Sequence, residues 1–196
     1  MIGSDVPQRI AFAQAQAIVA AVAAAHVLPV ERRPLTRALG AVLAEDIVAT
    51  LPLPGFDNSA MDGFAVRSAD GLDPRRLVGE QFAGIAQDLS IGPGECVRIT
   101  TGGRLPTGAD AIAIKENARV DGDRVVPTEA CRAGQHVRRQ GEDVAVGDTV
   151  LRVGQRLGPS HVSLAAALGL PELPVHRRPT VAVFTTGDEL RAPGQA

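Results

Sequence analysis

The chain has no tryptophan and no tyrosine, and aromatic residues fill only 3% of its 196 positions. That scarcity leaves no ladder of rings on which nucleic-acid bases could stack. An excess of one charge is missing too: 20 Lys and Arg stand against 22 Asp and Glu, a net charge of -2. No general basic field exists to hold a polyanion, so any anion site must be local. Cysteine is scarce, and Cys96 and Cys131 match neither a disulfide framework nor a paired metal-ligand spacing. Both read as small buried hydrophobes of a reduced, cytoplasmic protein. The four histidines, His26, His136, His161 and His176, show no clustered ligand spacing.

Residues 10–28 carry no Asp, Glu, Lys or Arg. A secretory leader cleaved after Ala24-Ala25 competes with a soluble helix here, but Asp5 stands where a cationic region belongs, and Gln14, Gln16 and His26 interrupt the apolar run. The helix is the better reading. Asp5 and Pro7 supply its start signal, and Ala11, Ala15, Ile18, Val19 and Val22 share one face.

What is abundant is turn chemistry. Hydrophobic residues at 45% and charged ones at 21% mark an ordinary globular chain, long enough for one domain or two small ones. A short helix is expected over residues 35–39, stopped by Gly40, with extended chain over 41–50. From 51 to about 141 glycines recur at strand-like intervals between short apolar runs, the pattern of a compact all-β unit, with its clearest hairpin at residues 120–125. A strand over 149–153 and a helix over 160–168 ended by Gly169 follow. Residues 179–187 read as a buried strand entering a polar loop, like the first strand of an α/β sheet. Such a strand lacks its partners in this chain, so the last ~20 residues are expected to pack poorly alone, as in a truncated product.

Four segments could carry chemistry. In PLPGFDNSAMDGFAV, Asp57 and Asp62 lie five residues apart in a loop, oxygen donors suited to Mg²⁺ or to Asx turns that tie the loop down. RITTGGRLPTGADA ends a strand in hydroxyls and paired glycines, either an anion-cradling nest or a wide hairpin loop, without the Lys of a P-loop. VRRQGEDV sets two guanidinium groups beside two carboxylates, a match for oxyanion oxygens or simply a solvated charge run. VAVFTTGDEL places hydroxyls and carboxylates at a strand's carboxyl end, where α/β sheets bind ligands; Asp188 or Glu189 could equally cap a helix.

In this order the four segments resemble the molybdopterin molybdenumtransferase family, to which the corresponding domain of gephyrin belongs. The resemblance covers the N-terminal portion of such an enzyme. It implies a mixed α+β fold: a discontinuous, elongated α/β first domain (residues 1–50 and 142–178), an inserted all-β domain (51–141), and the start of a truncated molybdopterin-binding α/β domain (179–196). It implies molybdenum cofactor biosynthesis in the cytoplasm, in which molybdate is inserted into adenylylated molybdopterin with release of AMP and with Mg²⁺ present. A homodimer is implied, with a molybdopterin adenylyltransferase as upstream donor and with neither nucleic acid nor membrane as partner. Carried over by position, Asp62, Thr101, Asp143 and Glu189 are the catalytic candidates. Asp62, Asp143 and Glu189 are the metal candidates, and Ser59, Gly102, Arg138, Arg139 and Thr186 the substrate-binding ones. Phe64 stands where the family more often has Tyr, and Gln140 interrupts an arginine run. The fragment itself is expected to be inactive, and a non-catalytic dimerisation or binding module derived from the family is the alternative.

Overall fold

The computed structural model describes residues 10–85, 87–187, 189–191 and 194. In chain order the elements are α1 (Phe12–Ala25), β1 (Val30–Pro34), β2 (Ile47–Val48), β3 (Asn58–Ser59), β4 (Gly63–Val66), β5 (Arg75–Gln81), β6 (Glu95–Ile99) and β7 (Ala111–Ile114). They continue with β8 (Ala118–Asp121), β9 (Arg124–Pro127), β10 (Val137–Arg138), β11 (Thr149–Leu151), α2 (Pro159–Ala167) and β12 (Glu172–His176). The result is a mixed α/β chain.

Six strands form the main sheet in the order β7-β4-β6-β5-β9-β8, antiparallel except for the β5–β6 pair. Apolar side chains on its two faces feed two clusters, one around Phe64, Val66, Cys96 and Val125, the other around Ala65, Val97, Ile99 and Ile112. The alternation of neighbouring residues between clusters, Phe64 then Ala65 then Val66, is the period of two that a pleated strand imposes. Cys96 is fully buried and its thiol is pushed up to about 11, chiefly by desolvation; Cys131 is half-buried, its thiol is raised for the same reason, and both are free.

A third cluster draws on both sides of this sheet in sequence, joining Ala38, Ala41 and Leu43 to Leu151, Leu157, Ala165, Leu173 and Val175. The pairings β1–β12 and β2–β11 connect the same two stretches. Strand β1 was not legible beforehand, because VERRP carries three charges and a proline and looks like a loop.

The hairpin at 120–125 forms as β8–β9, turning at Gly122 with φ 59°. The 35–39 helix shortens to a 3-10 turn, Leu35–Arg37, and Gly40 adopts the left-handed conformation expected of it. Helix α1 forms as expected, and its apolar residues Phe12, Ile18, Val19 and Val22 are all exposed. The start signals Asp5 and Pro7 lie outside the described residues. No strand forms at 179–187, where Val183 and Phe184 stand 88% and 84% exposed, so the opening strand of the α/β domain expected from residue 179 is absent among the described residues. A buried strand needs neighbours on both edges to satisfy its N–H and C=O groups, and the described residues supply none there.

Candidate functional site

The first three signature segments are zipped together by the backbone. Strand β3 pairs with β10 through Ser59↔Val137 and Asn58↔Arg138. The glycine pair adds a second seam: Gly102 N–H donates to the Ser59 carbonyl at 2.8 Å and Ser59 N–H to the Gly103 carbonyl at 3.0 Å. Leu105 N–H donates to the Asp57 carbonyl at 2.9 Å. Gly102 takes φ 81°, and a Cβ on Gly103 would stand 2.9 Å from both the Gln81 and Thr100 carbonyl oxygens. Only glycine permits so close an approach. Ser59 is fully buried, and its hydroxyl donates to the Met61 carbonyl at 2.5 Å.

Asp62 follows this seam and sits at the entrance to β4. Its Oδ1 accepts the Thr101 N–H at 2.8 Å and the Thr101 hydroxyl at 2.9 Å, which leaves Oδ2 uncommitted among the described residues. The Thr101 N–H, then its hydroxyl, hold the Asp62 carboxyl below its ordinary 3.8, and Lys115 adds a smaller pull. Lys115 and Arg98 line the same cavity of about 360 Å³ as Asp62, with Phe64, Leu77 and Ile99 as apolar wall. Arg98 opens the RITTGGRLPTGADA segment, on β6; Lys115, in the 3-10 turn after β7, carried no signal in the sequence.

Across β10 the arginines are held in a different way. Arg138 Nε donates to Glu142 Oε1 at 2.8 Å, and its Nη2 donates to Asp143. Asp143, followed by Glu142, raises the Arg138 pKa. Arg139 donates to Asp57 Oδ2 at 2.6 Å, while the Gln140 N–H donates to Asp57 Oδ1 at 2.8 Å. The Gln140 N–H is the main reason the Asp57 carboxyl falls below 3.8, with Arg139 assisting against the cost of desolvation. Asp57 and Glu142 are thus the clamps of this loop, a role visible only once the segments meet. Isolated exposed ion pairs are each worth about 1 kcal/mol or less, so the pairs fix geometry more than they add stability.

Thr186 and Glu189 belong to the fourth segment, which among the described residues makes no hydrogen bond to the other three; both are exposed, and Asp188 lies outside the described residues. Glu189 therefore does not join Asp62 and Asp143. Among the described residues no group of three or more His, Cys, Asp or Glu side chains is placed to hold a metal. Asp62, Asp143 and Glu189 are not gathered into one cluster among the described residues, so as a set they do not form a Mg²⁺ site.

Over residues 10–169 the sequence matches the protein family described as "MoeA N-terminal region (domain I and II)". The chain belongs to this family. Molybdopterin molybdenumtransferase 2 of Mycobacterium tuberculosis is 49% identical over 168 residues, covering 82% of this chain and 42% of that relative. Molybdopterin molybdenumtransferase of Haemophilus influenzae is 40% identical over 159 residues, covering 80% and 39%. A crystal structure of the molybdopterin biosynthesis MoeA protein from Pyrococcus horikoshii superposes with a TM-score of 0.79 at 30% identity, covering 92% of this chain and 48% of that one. This MoeA-family chain therefore spans about four-tenths of the length of the M. tuberculosis relative. No helix among the described residues is long and apolar enough to cross a membrane.

One consequence is measurable without any substrate. A carboxylate whose folded pKa is depressed stabilises the fold above its unfolded pKa, and that contribution is lost as the pH falls through the folded value. Carboxyl carbon NMR is expected to show Asp62 and Asp57 titrating below 3.8, with Thr101→Val moving Asp62 part of the way back. Ordinary midpoints for both would refute the clamp geometry.

Proposed function

We propose that this chain is the N-terminal portion of a cytoplasmic molybdopterin molybdenumtransferase that inserts molybdate into adenylylated molybdopterin and releases AMP. The observation that carries the proposal is the convergence of three separated signature segments on one surface, where Asp62–Thr101 and the Arg138–Glu142–Asp143 group are held by hydrogen bonds. Arg138 and Arg139 suit oxyanion oxygens, since guanidinium forks match them in shape as well as charge. Lys115 and Arg98, paired with Glu116 and Glu80, line the cavity beside Asp62. Asp62 keeps one carboxylate oxygen free to orient a substrate group or a water molecule.

We place the domain boundaries at 1–50 with 142–178, 51–141 inserted, and 179–196 as the start of a third unit. The joining of residues 38–43 to 151–175 in one core supports that division. The test is a chimera in which residues 10–169 replace the matching part of the M. tuberculosis relative. Molybdate-dependent AMP release should persist in the chimera and be absent from the isolated chain; a folded but inactive chimera would count against the proposal.

A second reading, self-association through α1, is favoured by that helix's bare apolar face. A 14-residue helix is marginal alone in water, and this one buries nothing. We propose that a second copy of the chain covers it. Sedimentation equilibrium is expected to give a dimer, and Val19→Lys a monomer; a monomeric parent chain would refute this.

A further inference from the structure

We propose a second anion site, at the β5–β9 seam of the main sheet, that takes a tetrahedral oxyanion of the phosphate class. Here a cavity of about 350 Å³ is walled by Pro74, Arg75, Arg76, Gly94, Asp123 and Arg124. The β5–β9 pairing, Arg75↔Val125 and Arg76↔Arg124, brings Arg124 beside the consecutive Arg75 and Arg76 from a distant part of the sequence.

Arg75 is the anomaly. It is only 2% exposed, the largest of the fully buried side chains, yet no described carboxylate lies within ion-pairing distance of it. Its Nη1 donates to the Asp73 carbonyl at 3.0 Å and its Nη2 to the Gly71 carbonyl at 2.8 Å. Its Nε donates to nothing, and it is the one buried side-chain nitrogen or oxygen among the described residues left in that condition. A buried cation with neutral acceptors and a spare donor is costly unless an anion stands near it. Capping two loop carbonyls accounts for two of its nitrogens, but a neutral amide would serve that purpose without the burden of the charge.

The rest of the wall supplies the complement. Arg124 is exposed and, among the described residues, has no carboxylate partner; Arg76 is already paired with Glu95 at 2.6 Å. Asp123 is the opposing charge. Counting Arg75 and Arg124 against Asp123, with Arg76 and Glu95 cancelling, the cavity keeps a surplus of one positive charge. That suits a small oxyanion held by guanidinium forks, with room for its waters, and does not suit a long polyanion. The site shares no lining residue with the cavity at Asp62.

Inorganic phosphate titrated calorimetrically into the chain, against chloride at matched ionic strength, is the test. One saturable site is expected, with Kd on the order of 1 mM. Arg124→Ala should weaken it about tenfold, by loss of a charge-assisted contact, and Asp123→Asn should tighten it severalfold. Both variants should melt like the parent in phosphate-free buffer, so that the readout does not depend on Arg75→Met folding. Heats no different from chloride, or equal affinities for the parent, Arg124→Ala and Asp123→Asn, would overturn the proposal.

Discussion

Gly63→Val is expected to lower the unfolding temperature by roughly 6–12 °C, the largest stability effect of any single change near the site. A Cβ at this position would lie 2.1 Å from the Ala113 carbonyl oxygen and 2.9 Å from Ile114 Cα. Both are backbone atoms of β7, so no side-chain rotation relieves the clash; the strand itself must move. Strand β4 is hydrogen-bonded on both edges, to β6 through Gly63↔Ile99 and to β7 through Gly63↔Ile114. Displacing it disturbs both buried clusters at once, which is why the cost is put at about 3 kcal/mol rather than the fraction typical of a surface change. Gly55→Ala is the control, since a Cβ there meets nothing within 4 Å. It should melt within about 2 °C of the parent. Equal behaviour of the two variants, followed by circular dichroism, would mean that β4 does not sit as closely on β7 as described.

Asp62→Asn in the chimera is expected to leave unfolding nearly unchanged and to lower turnover by about 100-fold, the scale on which a preorganised charged group acts in a reaction. The asparagine oxygen can still accept the two Thr101 hydrogen bonds, so local geometry survives while the negative charge does not. Comparison with Asp62→Ala, which loses both, separates charge from positioning. Turnover of the Asn variant equal to the parent's would remove Asp62 from the reaction and leave it as a loop tie. The two predictions share a cause: Gly63 lets β4 approach β7, and that approach fixes the residue immediately before it.

The sequence by itself determined the parts whose physics is local. Glycines at positions 40, 122 and 169 announced left-handed turns, because only they adopt positive φ without strain, and all three do so. The hairpin at 120–125 was legible for the same reason, whereas residues 58–59 and 63–66, read from sequence as irregular loop, pair as strands β3 and β4. Family membership was legible too, since it rests on the order of motifs rather than on their contacts. The tertiary structure decided what depends on distant pairing. It made a strand of the charged segment VERRP by setting it against β12, left α1 with its apolar face bare, and left residues 179–187 without the neighbours a strand requires. It also chose the clamps: Asp57 with Arg139, across 82 positions, and Asp62 with Thr101, across 39. A carboxylate's partner is fixed by where the sheet brings the chain back, and no local pattern of residues encodes that return.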